Sequence, residues 1–299
     1  MKTVHVEMRL SIYGNSESNW SDLAQWACRW DVYSPSNRWM IQTPRIYRIF
    51  RKIGKVSSFQ QYLDNIFAPL FAVTIDPAVD PDLDRFLQEV SGFDSVDDES
   101  VAEPSLISVS PEEVRVSRPV AVLAKSLTFV WCCVQWTSAE NPPYAYQLFY
   151  FHANLVQLNA LRRAKGLNTF DMRPHSGESG SVHHLSCTYL LAEGINHGVN
   201  LKNNISLQYL YYLDQVGLAV SPVSNSFLFM NIHQNPFPKF FKRGLNVSLS
   251  TDDVSTTEFA CLICVFDLLC VQADDVPFVG VVVARGVRHR TAHVGIFDP

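Results

Sequence analysis

The chain has 299 residues, 47% apolar and 18% charged, with 13 glycines and 16 prolines, which excludes a fibrous, collagenous or mostly disordered protein and leaves one large globular domain or two modest ones. Lys and Arg number 24 against 29 Asp and Glu, a net charge of −5. No basic field exists to condense onto nucleic acid or an anionic membrane. Met1 is followed by no basic, apolar and small-residue series of the secretory kind. The longest apolar windows, around 119–134 and 258–272, are broken by Lys125 and Asp267 and fall short of the roughly 20 residues a spanning helix needs. A cytosolic chain with no nucleic acid and no membrane partner is expected. The seven cysteines follow no framework spacing, which suits reduced thiols.

In chain order, Met8–Tyr13, Arg38–Gln42 and Gly92–Asp97 are strand candidates, with a helix from about 45 to Gly54 and another from about Phe59. After Pro142-Pro143, Leu148, Phe151, Leu155, Leu158 and Leu161 recur at helical spacing, and Gly166 supplies a left-handed stop. A strand through Thr169–Met172 runs into Arg173-Pro174-His175. A helix at about 182–192 leads to Gly194–His197, and another through Leu207–Tyr211, stopped by Gly217, feeds Leu218–Ser221. A short helix opened by Pro236 ends at Gly244, before Asn246–Ser250. From residue 169 the strand starts recur every roughly 24 to 28 residues, a repeat of strand plus helix. Seven strands in this alternation predict an α/β protein, a (β/α)8 barrel of TIM type short of one strand, with its chemistry at the carboxyl ends of the strands.

Those ends are crowded with polar groups. His175-Ser176-Gly177-Glu178 sets an imidazole and a carboxylate three residues apart just past a strand, the pairing of a metal ligand with a neighbour that moves protons. The competing reading is a helix start, with Ser and Glu capping. His197 closes the next strand and can equally be a hydrogen-bonded rim residue. Asp252-Asp253 follow the last strand, and adjacent carboxylates repel unless they share a cation or a donor. Asp94, Asp97, Asp98 and Glu99 read best as a solvated acidic loop. Cys261-Leu-Ile-Cys264 has metal-type spacing but no second pair and apolar flanks, so zinc-ribbon and thioredoxin readings fail. His5-Val6-Glu7 has no Pro-Cys-x-x-Cys partner, which removes the cytidine-deaminase type.

Arg173-Pro-His-Ser-Gly-Glu178, Ile195-Asn-His-Gly198, Ser221-Pro-Val-Ser-Asn225 and Ser248-Leu-Ser-Thr-Asp-Asp253, in this order and spacing, closely resemble the AMP deaminase family of the adenosine deaminase superfamily. Arg9-Leu-Ser-Ile-Tyr-Gly14, Trp39–Arg45, Gly92–Ser100 and Asn141–Tyr146 extend the resemblance over most of residues 4–253. It implies a distorted (β/α) barrel that uses Zn2+ to deaminate AMP to IMP and ammonia in purine nucleotide salvage, as a homo-oligomer. It also implies the roles: His175 and Asp252 as metal ligands, Glu178 as the acid that protonates purine N1, His197 as base or orienter, and Asp253 as a contact to the purine.

The chain also departs from the family. No His-x-His, the family's first pair of zinc ligands, occurs in the sequence. The matched region begins at what corresponds to the second barrel strand, so a truncated catalytic barrel, inactive by itself, is expected. A non-catalytic AMP deaminase-like partner acting through oligomerisation is the alternative. Residues 1–253 form the partial barrel in this reading. Residues 116–135 are an anomalous insertion and 254–299 an anomalous tail. Both stretches begin with Val-Ser, encodable as a splice donor, and run through Cys-rich apolar sequence to Val-Gln, whose Gln is encodable as an acceptor. They are expected to be intron-derived or out of frame.

Overall fold

The computed structural model describes residues 6–103, 136, 138–228 and 230–250. The stretches 116–135 and 254–299, as well as Asp252 and Asp253, lie outside the described residues. The chain divides into two compact units, one comprising the chain to Asp97 with Ala102–Met172, the other Asp98–Val101 with the chain from Arg173 onward.

The first unit is an α/β layer on a parallel sheet of four strands in chain order: β1 (Val6–Ser11), β2 (Asn37–Pro44), β3 (Val90–Val96) and β4 (Asp171–Met172). Its helices are α1 (Asn19–Arg29), α2 (Tyr47–Lys52), α3 (Phe59–Ile75), α4 (Pro81–Leu87) and α5 (Tyr144–Ala164). Helix α3 starts where the Ser58 side chain accepts from the Gln61 N–H at 3.1 Å, an N-cap of the ordinary kind. Trp39, Met40 and Ile41 are consecutive in β2 and all buried, as expected for a parallel strand covered on both faces.

Buried polar side chains tie the helices of this unit to its strands. Asn159 on α5 pairs reciprocally with the Phe170 backbone, donating to its carbonyl at 2.8 Å and accepting its N–H at 2.9 Å. Arg162, one turn on, donates to the Asn168 carbonyl at 2.6 Å and side chain at 2.7 Å and to Thr74 Oγ1 of α3 at 3.2 Å, and lies 4.5 Å from the Phe170 ring centroid. Burial pulls its guanidinium down to about 10, still protonated at neutral pH.

The Arg45 guanidinium, after β2, is buried against Asp97, Glu103 and the Pro142 carbonyl. Glu103 in turn accepts the Tyr144 N–H at the start of α5, where negative charge complements the helix dipole.

The second unit repeats the design with β5 (His175–Ser176), β6 (Gly194–His197), β7 (Gly217–Val220) and β8 (Val247–Leu249), again parallel and in chain order. Its helices are α6 (His183–Leu191), α7 (Ile205–Leu213), α8 (Pro222–Leu228) and α9 (Phe237–Lys242). Leu185, Ile195, Leu201, Tyr211, Leu218, Val220, Phe237 and Phe240 form its core.

The α/β class and the parallel pairing agree with the sequence reading, and three points differ. The strand expected through Thr169–Met172 is only Asp171–Met172, and a further short strand, His175–Ser176, follows just past Pro174, which has no N–H to give a ladder. Helices α1, α4 and α8 were not expected. The buried face of α1 rests on Trp20, Ala24 and Ala27, and the other two are only seven residues long. Asp94 is buried in a 3.0 Å ion pair with Arg9, so the acidic run 94–99 is not a solvated loop throughout. Asp98 alone of its carboxylates is exposed.

Gly92 of β3 has no room for a side chain, since a Cβ there would lie 2.4 Å from the Asp171 carbonyl oxygen of β4. Gly92→Ala is expected to cost about 2–3 kcal/mol, read as a lower urea midpoint at unchanged slope.

Candidate active site

All strands of the second unit are parallel, so their carboxyl ends share one edge of the sheet. The register sets Ser176 beside His197 and Val220 beside Leu249. The turn Gly177–Gly180 follows β5, His197 closes β6, and Ser221 leads from β7 into α8, which carries Asn225.

At this edge the His175 and His197 rings lie 4.7 Å apart between centroids. Glu178 Oε1 is 3.3 Å from His197 Nδ1. Asn225 joins the two: its Nδ2 donates to Glu178 Oε1 at 2.9 Å and lies 3.0 Å from His197 Nδ1. The carboxylate can only accept, so the amide must turn its NH2 group this way, and an NH2 group cannot accept in turn. His197 Nδ1 is therefore the acceptor, and the imidazole carries its proton on Nε2. Asn225 and His197 are buried while the Glu178 side chain keeps 14% of its exposure, so a carboxyl reachable from the site is held by a dry pair behind it.

The backbone is arranged around the same contacts. His197 has φ of +67° and Gly198 of +65°, left-handed conformations that a histidine adopts only when its surroundings over-determine it. The Gly198 N–H donates to the Ser176 carbonyl at 3.0 Å. Beneath β5 lies a buried hydroxyl chain: Ser176 Oγ is 2.9 Å from Thr188 Oγ1, which is 3.0 Å from Tyr211 OH, which donates to the Leu185 carbonyl at 2.9 Å. Burial raises the Tyr211 phenol above its ordinary range, so it stays a donor at any physiological pH.

Of the five residues singled out in the sequence, His175, Glu178 and His197 come together here, and Asp252 and Asp253 lie outside the described residues. The capping reading of Ser176 and Glu178 is overturned, because α6 starts only at His183 with Val182 at its cap. Two residues of the site were not singled out. Asn225 stood in a quoted motif, but an asparagine past a strand end has no signature of its own. Glu99 was assigned to the solvated acidic loop and is in fact buried, its Oε2 accepting the Gly177 N–H at 2.7 Å and lying 3.4 Å from His184 Nδ1. Among the described residues no three His, Cys, Asp or Glu side chains cluster closely enough to hold a metal ion.

Residues 1–262 match the family described as AMP deaminase. The chain belongs to the AMP deaminase family. A probable AMP deaminase of Oryza sativa subsp. japonica is 50% identical over 249 residues, 83% of this chain and 28% of that protein. The AMP deaminase of Saccharomyces cerevisiae and the human AMP deaminase 3 are each 47% identical over 252 residues, 84% of this chain and 29% and 30% of theirs. The chain thus spans under a third of the length of these AMP deaminases. Among solved structures, the N6-methyl-AMP deaminase of Arabidopsis thaliana aligns at 11% identity over 86% of this chain and 69% of its own, with a TM-score of 0.40. An adenine deaminase of Arthrobacter aurescens aligns at 15% over 80% and 63%, with a TM-score of 0.35.

Asn225→Leu removes the donor shared by Glu178 and His197 and leaves the buried His197 acceptor and the half-buried Glu178 carboxyl facing a methyl group. A loss of about 1–3 kcal/mol of stability is expected, measured by urea unfolding followed with the near-ultraviolet signal of the tyrosines.

Proposed function

We propose that the protein carrying this chain is an AMP deaminase that hydrolyses AMP to IMP and ammonia in purine nucleotide salvage. In this reading the strands belong to a (β/α) barrel and the carboxyl ends of β5–β8 form part of its active site. The observation that carries it is the Glu178–Asn225–His197 contact at the shared strand edge, in a chain about half identical to AMP deaminases along most of its length.

The donor chemistry fits a zinc ion, which takes imidazole nitrogen and carboxylate oxygen. His175 and Asp252 are the residues of this chain that would hold it. Bound zinc makes a water-derived nucleophile available at neutral pH by lowering the pKa of its water to about 7. Glu178 hydrogen-bonds purine N1 and delivers a proton there, so that the ring nitrogen takes up the charge that attack at C6 would otherwise build. Asn225 holds the Glu178 carboxyl at that position. With its proton on Nε2, His197 presents a donor to the site and orients the attacking oxygen, which favours the orienting role over that of base. Asp253 contacts the purine. No helix among the described residues is long and apolar enough to cross a membrane, and we place this activity in the cytosol.

Glu178→Gln removes a proton donor and leaves the metal ligands in place. In the whole protein carrying this chain it is expected to keep zinc, measured by atomic absorption, and to lower kcat for ammonia release from AMP by about 10²–10⁴-fold. Asp252→Asn should lose zinc as well. Absence of ammonia release from AMP by the parent protein, or a Glu178→Gln variant as active as the parent, would overturn the reading. The same proposal treats residues 116–135 and 254–299 as intron-derived or out-of-frame sequence. Transcripts are expected to lack the first stretch and the Val254–Gln272 part of the second and to read on from about Ala273 in a shifted frame, and messages retaining both stretches in the present frame would end that part of it.

A further inference from the structure

The geometry points to Glu99 as a positioning residue for the acid-bearing turn: a buried carboxylate that holds the Gly177 peptide and thereby aims Glu178. The inference rests on the proposed role of Glu178, and its physical part stands on the turn itself.

Glu178 sits between two residues in left-handed conformations that glycine alone fills without cost, Gly177 at φ +68° and Gly180 at φ +63°. Such a turn has no ladder or helix bonds to satisfy its peptides, so its shape depends on what its backbone groups meet. Its two ends meet different elements. Glu99 Oε2 accepts the Gly177 N–H at 2.7 Å. On the other side Asn200 takes the carbonyls, its N–H donating to Gly177 O at 2.7 Å and its side chain to Gly180 O at 3.2 Å.

Sterics close the rest. A Cβ on Gly177 would lie 2.7 Å from Leu185 of α6, and one on Gly180 would lie 1.8 Å from the Glu99 carbonyl oxygen. The Glu99 segment therefore touches the turn twice, with its side chain at residue 177 and its backbone at residue 180. With one peptide pinned before Glu178 and another after it, the carboxyl has a fixed base from which to reach Asn225 at 2.9 Å.

A buried carboxylate is costly unless donors face it, and here the Gly177 N–H donates to Oε2, while the His184 ring approaches the same oxygen with Nδ1 at 3.4 Å and no hydrogen bond between them. Removing the acceptor frees the Gly177 peptide to rotate. A site whose acid is displaced by about 1 Å still binds substrate, but the acid transfers its proton poorly, an effect on kcat more than on KM.

Two variants separate the acceptor from its charge and volume. Glu99→Gln keeps an acceptor oxygen at the same place, and Glu99→Leu keeps similar bulk without it. Amide exchange at Gly177, followed by NMR in the chain without metal or substrate, is expected to speed up about tenfold or more in Glu99→Leu and to stay near the parent in Glu99→Gln, with the β6 amides unchanged in both. In AMP deamination Glu99→Leu should lower kcat about tenfold or more with KM within about twofold, and Glu99→Gln should recover most of it. Parental Gly177 exchange in Glu99→Leu overturns the inference, as does a Glu99→Gln variant whose Gly177 amide exchanges fast. If Glu99→Leu does not fold, the Glu99→Gln exchange decides alone. A parent protein that releases no ammonia from AMP defeats the proposed function and leaves the exchange result to judge the role of Glu99 in the turn.

Discussion

Parallel strand pairing with level ends is the constraint from which the candidate site follows. Because β5, β6, β7 and β8 run the same way in chain order, every residue that follows a strand in the second unit emerges at the same edge, however far apart in sequence. The pairing of Ser176 with His197 sets how far the β5 turn reaches past its neighbour, and Pro222 starts α8 so that Asn225 comes back over both. A slip of the register would separate Glu178 from His197, which a 3.3 Å approach does not tolerate.

The two units handle buried polar groups in the same way and to different ends. In the first, Arg162 is met by a carbonyl, an amide oxygen, a hydroxyl and an aromatic ring and Arg45 by carboxylates, a carbonyl and an aromatic ring, and their hydrogen bonds lock α5 to the strands and to α3. In the second, the buried groups are a histidine, an amide and a carboxylate whose hydrogen bonds leave one side chain facing outward. Several hydrogen bonds per buried group make a rigid scaffold in the first, and the same support behind a reachable carboxyl makes a site in the second that is stiff where it is held.

Much of this architecture is legible in the sequence because its signals are local. Apolar periodicity marks α3 and α5, glycines past helix ends mark the stops at Gly54, Gly166 and Gly244, and apolar runs ending in polar residues mark the strands. Two of the helices that escaped, α4 and α8, have only seven positions, where periodicity has too few points to register; α1 has an apolar stripe of its own and was missed all the same. Strand β5 escaped because it is two residues long and starts just past Pro174, and that His175 and Ser176 pair at all is decided by the neighbouring β6.

Residue identity and order by themselves determined the α/β alternation, the parallel class of the sheets, the kinship with AMP deaminases, and the nomination of His175, Glu178 and His197, since strand ends and motif spacing are properties of the chain taken in order. Only the tertiary structure decided that Glu99 is buried against Gly177 and that Asn225 bridges Glu178 and His197, and hence which imidazole nitrogen carries the proton. The physical reason is that a carboxylate or an amide prefers water, and enters the interior only where donors and acceptors meet it there. The donors and acceptors brought to it by distant segments settle that choice, here Gly177 across 78 residues of chain for Glu99 and Glu178 across 47 for Asn225.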